Sequence, residues 1–235
     1  MAKFPAKRRT RDPNATREKL LHAAFAEIYR RGFQAASLDT ILAQAGVTKG
    51  ALYHHFPDKM ALGKAVVDEV VRSFLLRRWS VESLEQLEGD PITALQQILR
   101  HRSDQLTTRE VELGCPLNNL AQEMSPLDER FRRQVDGAFD TWRGAFAKAL
   151  QRGKSEGTVR RDVNARKVAS FVVAAIEGSF GLAKSAQSRS MLRANLEILN
   201  GFLETLRAAT RSRKKAPARP GLPSHASGSV HRRRA

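Results

Sequence analysis

The chain has 235 residues, 41% of them apolar, and a formal net charge of +17 at pH 7. That supplies enough apolar side chain for a buried core, and a single cysteine, Cys115, excludes an internal disulfide and any cysteine-rich zinc module. No run approaches the ~18 uninterrupted apolar residues of a membrane span, and no apolar stretch near the N-terminus resembles a secretory signal, so the expected location is cytoplasmic with no membrane partner.

The charge is uneven. Residues 1–12 hold five basic residues and one acidic one, and residues 211–235 hold eight basic residues and no acidic one. Basic ends suit a polyanion, nucleic acid first, or act as solubilising tails. The C-terminal end is rich in Pro, Gly, Ser and Arg with almost no large apolar residue, so 211–235 is expected as a disordered basic tail, and 1–13 as a disordered basic arm. Between them the apolar pattern is helical almost everywhere, which predicts an all-α fold.

The first helix is predicted to start near Asn14 or Thr16 as cap, to bury Leu20, Leu21, Ala24, Phe25 and Ile28, and to end at Gly32. A short helix follows from Ser37 and stops at Gly46. Thr48 caps a third, "KGALYHHF", which Pro57 breaks, and Asp58 caps a long fourth over about 59–79. Beyond Gly89–Asp90–Pro91 a helix over about 91–107 is expected, then a short one opened by Pro116. In "SPLDERF", Ser125 reads as a cap and Pro126 as the first helical position. The helix it opens places Leu127, Phe131, Val135, Phe139, Trp142, Phe146 and Leu150 on one core stripe and ends at Gly153 and Gly157. Helices over about 164–185 and 190–209 close the chain. Each is apolar over a wide arc, Phe171 included, with small residues Gly178, Ser179 and Gly181 on one face, as a helix pair packing against a second copy would need.

Residues 37–56, two helices of about eight residues and a tight glycine turn, have the dimensions of a helix-turn-helix. The third helix is too short to stand alone and must be held through Leu52 and Phe56. Its start carries Thr48, Lys49, Gly50 and Ala51, small or extendable groups that can approach base edges. Ser37, Tyr53, His54, His55 and Lys59 are donors, or begin helices whose free amides attract phosphate. A metal fits badly here: adjacent helical residues point about 100° apart, so His54 and His55 do not share one ion, and Asp58 is committed as a cap. No nucleophile–base pair or phosphate loop appears, so neither an enzyme nor a cofactor is expected.

The stretch "TREKLLHAAFAEIYRRGFQAASLDTILAQAGVTKGALYHHFPDKMAL", with Gly32-Phe33, Ser37, Ile41, Ala45-Gly46-Val47, Thr48, Gly50, Leu52-Tyr53, His55-Phe56 and Lys59 in order, resembles the DNA-binding domain of the TetR family of transcriptional regulators. Two positions depart from that pattern: Leu42, where the family usually has Ala, and the acidic Asp39, which either accepts from a cytosine amine or faces solvent. The resemblance implies a helix-turn-helix head over 14–60 and a larger helical regulatory and dimerisation domain over 61–210. It implies a homodimeric repressor joined through its last two helices, bound to a palindromic operator on double-stranded DNA and released by a small-molecule or electrophilic effector. The alternatives are an activator or a ligand-independent DNA-binding protein of the same fold and, from another class and disfavoured by the lack of a catalytic constellation, a helical small-molecule enzyme.

For the effector, Cys115 precedes Pro116 and so reads as a helix cap whose amides would lower the thiol pKa, suiting a sensor; a buried, inert thiol is the competing reading. His101, Asn118, Phe139, Trp142 and Phe171 are the further candidates for lining a cavity, with Phe74, Trp79, Leu117 and Phe180 beside them.

Overall fold

The computed structural model describes residues 13–81, 84 and 89–209; the expected basic arm, Pro13 apart, and the whole basic tail lie outside the described residues. Among the described residues the structure is helical with no β-strand, only an isolated antiparallel bridge between Val159 and Arg207.

α1 (Pro13–Arg31) begins before the predicted caps and buries Leu20, Leu21, Ala24 and Ile28; Gly32 ends it at φ +84°, a conformation that favours glycine. α2 (Leu38–Ala45) starts on the Ser37 side chain, which accepts the Thr40 N–H, and stops at Gly46 in the left-handed region. α3 (Lys49–His55) starts on Thr48, which accepts from the Ala51 N–H at 3.3 Å. Asp58 caps α4 (Lys59–Ala65) at 2.6 Å.

The long fourth helix is not uniform. α4 runs through a π-helical stretch, Val66–Val71, into α5 (Arg72–Arg78). Val66, Val67 and Val71 are all buried. In an α-helix the residue five positions on stands off by about 140°, whereas an i→i+5 repeat brings Val71 back over Val66, so all three valines reach the core.

The body follows. α6 (Pro91–Asp104) is capped by Asp90 and ends three residues before the predicted stop. A capping box of Thr107 and Glu110 opens α7 (Thr108–Leu113), a helix the apolar pattern did not announce. α8 (Pro116–Met124) begins at Cys115, as expected. α9 (Glu129–Glu156) starts on Asp128, which accepts from Phe131 at 2.6 Å; Ser125 instead ends α8. Two caps compete within four residues, and the carboxylate prevails. Leu127, expected in the core, therefore lies in the connecting turn and is exposed. Gly153 does not end α9 either. It is buried inside the helix, where an added Cβ would come within 2.5 Å of Pro91 and 2.6 Å of Val159. Gly157, left-handed, is the stop.

α10 (Ala165–Ala186) and α11 (Arg189–Glu204) pack on each other, α10 also on α9 and α11 on α6. By length and composition alone α10 is apolar enough to cross a membrane, and 44% of its most apolar window is buried inside the protein. After α11 the chain returns to the end of α9, with Arg160 N–H donating to Leu206 and Ala208 N–H to Thr158.

Candidate functional site

The α2–turn–α3 unit is held from behind. Leu52 is fully buried and Phe56 nearly so, in the core that α3 shares with α1. Burying an apolar side chain of this size is worth about 1.5–3 kcal/mol, which a seven-residue helix needs because it is too short to persist alone. With that side fixed, Thr48, Lys49, Gly50, Tyr53 and His54 are exposed and Ala51 half-buried, forming one projecting tip. Nothing lies within 4 Å of a Cβ built at Gly50, so the backbone there is open to close approach.

The flanking cations are not all loose. Lys59 Nζ donates to the Gln34 carbonyl at 2.9 Å and sits 5.2 Å from the Phe33 ring centre, so the loop after α1 holds it beside α3. Lys49 Nζ stands 6.0 Å from the Tyr53 ring. His54 and His55, expected to face apart, have ring centroids 5.1 Å apart and packed edge to face; among the described residues no third metal-ligating group joins them. Asp39 is exposed in the first turn of α2, and Leu42 is half-buried against the core.

Beneath the tip lies a residue that sequence reasoning missed. Glu27 is fully buried on α1. Burial opposes its charge, but hydrogen bonds from Arg30 and the Ser37 N–H, with the charges of Arg30 and Arg31, outweigh that and hold the carboxyl below its ordinary range. It thereby ties the end of α1 to the start of α2. The signal was present: Arg30 and Arg31 follow Glu27 at helical i+3 and i+4 spacing.

The six regulatory candidates do not converge. Cys115 is buried, and burial first, then the neighbouring Glu177, pushes its thiol well above the ordinary value, the reverse of the lowering expected from its place at a helix start. Trp142 is buried, its ring stacked on Trp79 at 5.0 Å. Phe139 is half-buried. Asn118 faces a groove between α1 and α8, and His101 is exposed on α6 beside Arg77 and Gln105. Phe171, expected inside, is 53% exposed and packs edge-on against Phe202 on the outer face of α10 and α11.

What does converge is a polar cluster under α5, α6, α7 and α8. Arg102 is 3% exposed and shares the Glu110 carboxylate with Arg78. Tyr29 donates its hydroxyl to the Gly114 carbonyl at 2.6 Å, and burial pushes its pKa up to about 12. Glu177 stands behind Cys115, pushed up to about 7 by burial. Arg102 occupies a core position in the series Ile92, Leu95, Leu99, Arg102, Leu106, and Glu177 falls between Val173 and Phe180. A charged residue on an apolar helical stripe was the readable sign.

Residues 20–66 match the family described as bacterial regulatory proteins, tetR family, and residues 91–197 match the C-terminal domain of LmrA/YxaF-like transcriptional regulators. The HTH-type transcriptional regulator LmrA of Bacillus subtilis (strain 168) is 30% identical over 179 residues, covering 75% of this chain and 90% of the relative. The HTH-type transcriptional repressor DhaR of Mycobacterium sp. (strain GP1) is 28% identical over 176 residues, covering 75% and 86%. A TetR transcriptional regulator from Chloroflexus aurantiacus superposes with a TM-score of 0.73 at 25% identity, over 85% of this chain and all of that one. The fold also matches reduced NemR of E. coli, TM-score 0.71 at 24% identity, over 84% of this chain and 100% of the other.

Proposed function

The chain belongs to the TetR family of bacterial transcriptional regulators, and we propose that within it this protein works as a homodimeric repressor that leaves its operator when an effector enters the helical body. The observation carrying this reading is the exposed tip Thr48–Ala51, backed by buried Leu52 and Phe56, on an α2–turn–α3 unit whose dimensions suit a major groove. Thr48, Lys49, Gly50 and Ala51 are assigned to base edges, and Ser37, Tyr53, His54, His55 and Lys59 to phosphates. The head over 14–60 then reads DNA and the body over 61–210 regulates and dimerises, in the cytoplasm.

The dimer reading rests on α10 and α11. Phe171, Leu182, Met191 and Ile198 are exposed there, and Cβ atoms built at Gly178, Gly181 and Gly201 meet nothing within 4 Å. Large apolar groups beside open glycines let a second copy approach closely. Two heads on such a dimer would meet successive major grooves, and an effector preferring a different spacing would draw them off by population shift.

Light scattering of the purified protein, followed by selection of bound duplex from a random pool, tests the proposal. A dimer enriching an inverted repeat supports it. A monomer, or a pool with no enriched repeat, refutes it.

A further inference from the structure

Given the regulatory reading above, on which this inference rests, the effector should sit where the body holds polar groups without partners. Arg102 is such a group. Its Nη2 reaches Glu110 at 3.2 Å, but Nε and Nη1 are buried with no hydrogen-bond partner. A buried guanidinium left half-bonded is costly, and a ligand that completes it gains that energy. Arg102 faces a cavity of about 20 Å³ between α5, α6, α8 and α10, also lined by Tyr29, Trp79, Cys115 and Phe180. That is room for one water. Anything larger must part the helices, and so changes the body on binding.

The charges fix the ligand's sign and size of charge. Two guanidiniums, Arg78 and Arg102, share one carboxylate, Glu110, leaving one cation in excess on the cavity wall. Glu177, behind Cys115, does not line the cavity. Much of the rest of the wall is apolar or aromatic, with the Tyr29 hydroxyl already bonded to the Gly114 carbonyl: Trp79 lies 5.6 Å from the Arg102 guanidinium and packs edge-to-face with Phe180 at 6.4 Å. We propose that this cavity is the effector site and takes a monoanionic organic acid, its carboxylate accepting from an unpartnered Arg102 N–H, Nε or Nη1, and its apolar body lodged against Trp79 and Phe180. A single carboxylate balances that one uncompensated cation with a charge-assisted hydrogen bond, whereas a doubly charged phosphate exceeds it.

Tryptophan emission reads the site, because Trp79 lines the cavity and the chain's other tryptophan, Trp142, stacks on it. Full-length protein is titrated with propionate, benzoate and cinnamate, each beside its uncharged amide, and the same preparations are assayed on the selected duplex. At least one acid should change the emission, bind at least about tenfold more tightly than its amide, and weaken DNA binding. Arg102→Gln should abolish the preference for acid over amide while retaining DNA binding, and Arg102→Lys should retain part of it; if the Gln variant does not fold, the Lys variant and the acid–amide pairs on wild-type protein decide. Acids that leave the emission unchanged, amides that bind equally well, or an Arg102→Gln protein that keeps the preference would overturn the proposal, the last meaning that the acid is recognised away from Arg102. Wild-type protein that binds no duplex removes the repressor reading itself; protein that binds duplex but no acid removes only the inference.

Discussion

Glu123, near the end of α8, accepts the backbone N–H of Phe33 at 2.8 Å and of Gln34 at 2.7 Å. The same α8 begins at Cys115 on the wall of the inner cavity, so one helix spans from the body's polar cluster to the loop that carries the reading head. Glu123→Ala should leave two backbone donors without a protein partner and destabilise the protein by about 1–2 kcal/mol. Amide hydrogen exchange should quicken first at Phe33 and Gln34; unchanged exchange there would mean that the latch does not hold in solution.

The same loop positions Lys59 through the Gln34 carbonyl. Lys59→Ala should weaken binding to cognate and unrelated duplexes alike and reduce the dependence of affinity on salt by about one counterion. Tyr53→Phe should weaken both with the salt dependence unchanged. Anisotropy titrations at several salt concentrations check each, and a loss confined to the cognate duplex would reassign these residues to base reading.

Gly63 sets a third expectation. A Cβ there would come within 2.2 Å of the Phe33 ring, which is buried between the head and α9, its centroid 5.4 Å from that of Phe131. Gly63→Ala should therefore lower stability by about 1–3 kcal/mol, read as a lower urea midpoint, because a packed ring cannot give way freely. Gly63→Ala, Phe33→Leu should recover part of the loss.

Glu177 makes stability depend on pH. Its folded pKa, pushed up to about 7 by burial, lies above its ordinary value of 4.5, so the folded state binds more protons between the two. Its contribution is complete below about pH 4.5 and is lost as pH rises through 7, by up to about 3 kcal/mol. Glu177→Gln should flatten that slope and gain stability relative to wild type at pH 8. Chemical denaturation at pH 5, 6, 7 and 8 measures it; a wild-type curve rising steadily to pH 8 would contradict it. Cys115, buried beside Glu177 with its thiol raised, should alkylate at least about tenfold more slowly in the native protein than in urea.

The head was legible because its signals are local. Ser37, Thr48 and Asp58 cap within three residues, and Gly32 and Gly46 stop helices by their own conformation. The body was less so. Apolar periodicity places Phe171 on a stripe but does not say which of two apolar faces meets its own domain, and the structure turns Phe171 outward. Cys115 at a helix start suggests a thiolate until its burial is known, and its surroundings include Glu177 on α10, over sixty residues away. Arg102 and Glu177 carried a sign, charge in a core register, that reads as an exception until tertiary contacts show where it lies. The unannounced helix over 108–113 turned on the Thr107–Glu110 box, a cue too short for periodicity to weigh.

The affinity of wild-type protein and of Lys49→Ala for the selected duplex and for a scrambled one, at one salt concentration, bears on the DNA-reading surface more sharply than any other measurement. Wild type should prefer the selected duplex by about a thousandfold or more, and Lys49→Ala should lose affinity for it by about 1–3 kcal/mol while losing far less on the scrambled duplex. Equal losses on both duplexes, or a wild type that does not distinguish them, would contradict the assignment of Thr48–Ala51 as the part that reads sequence.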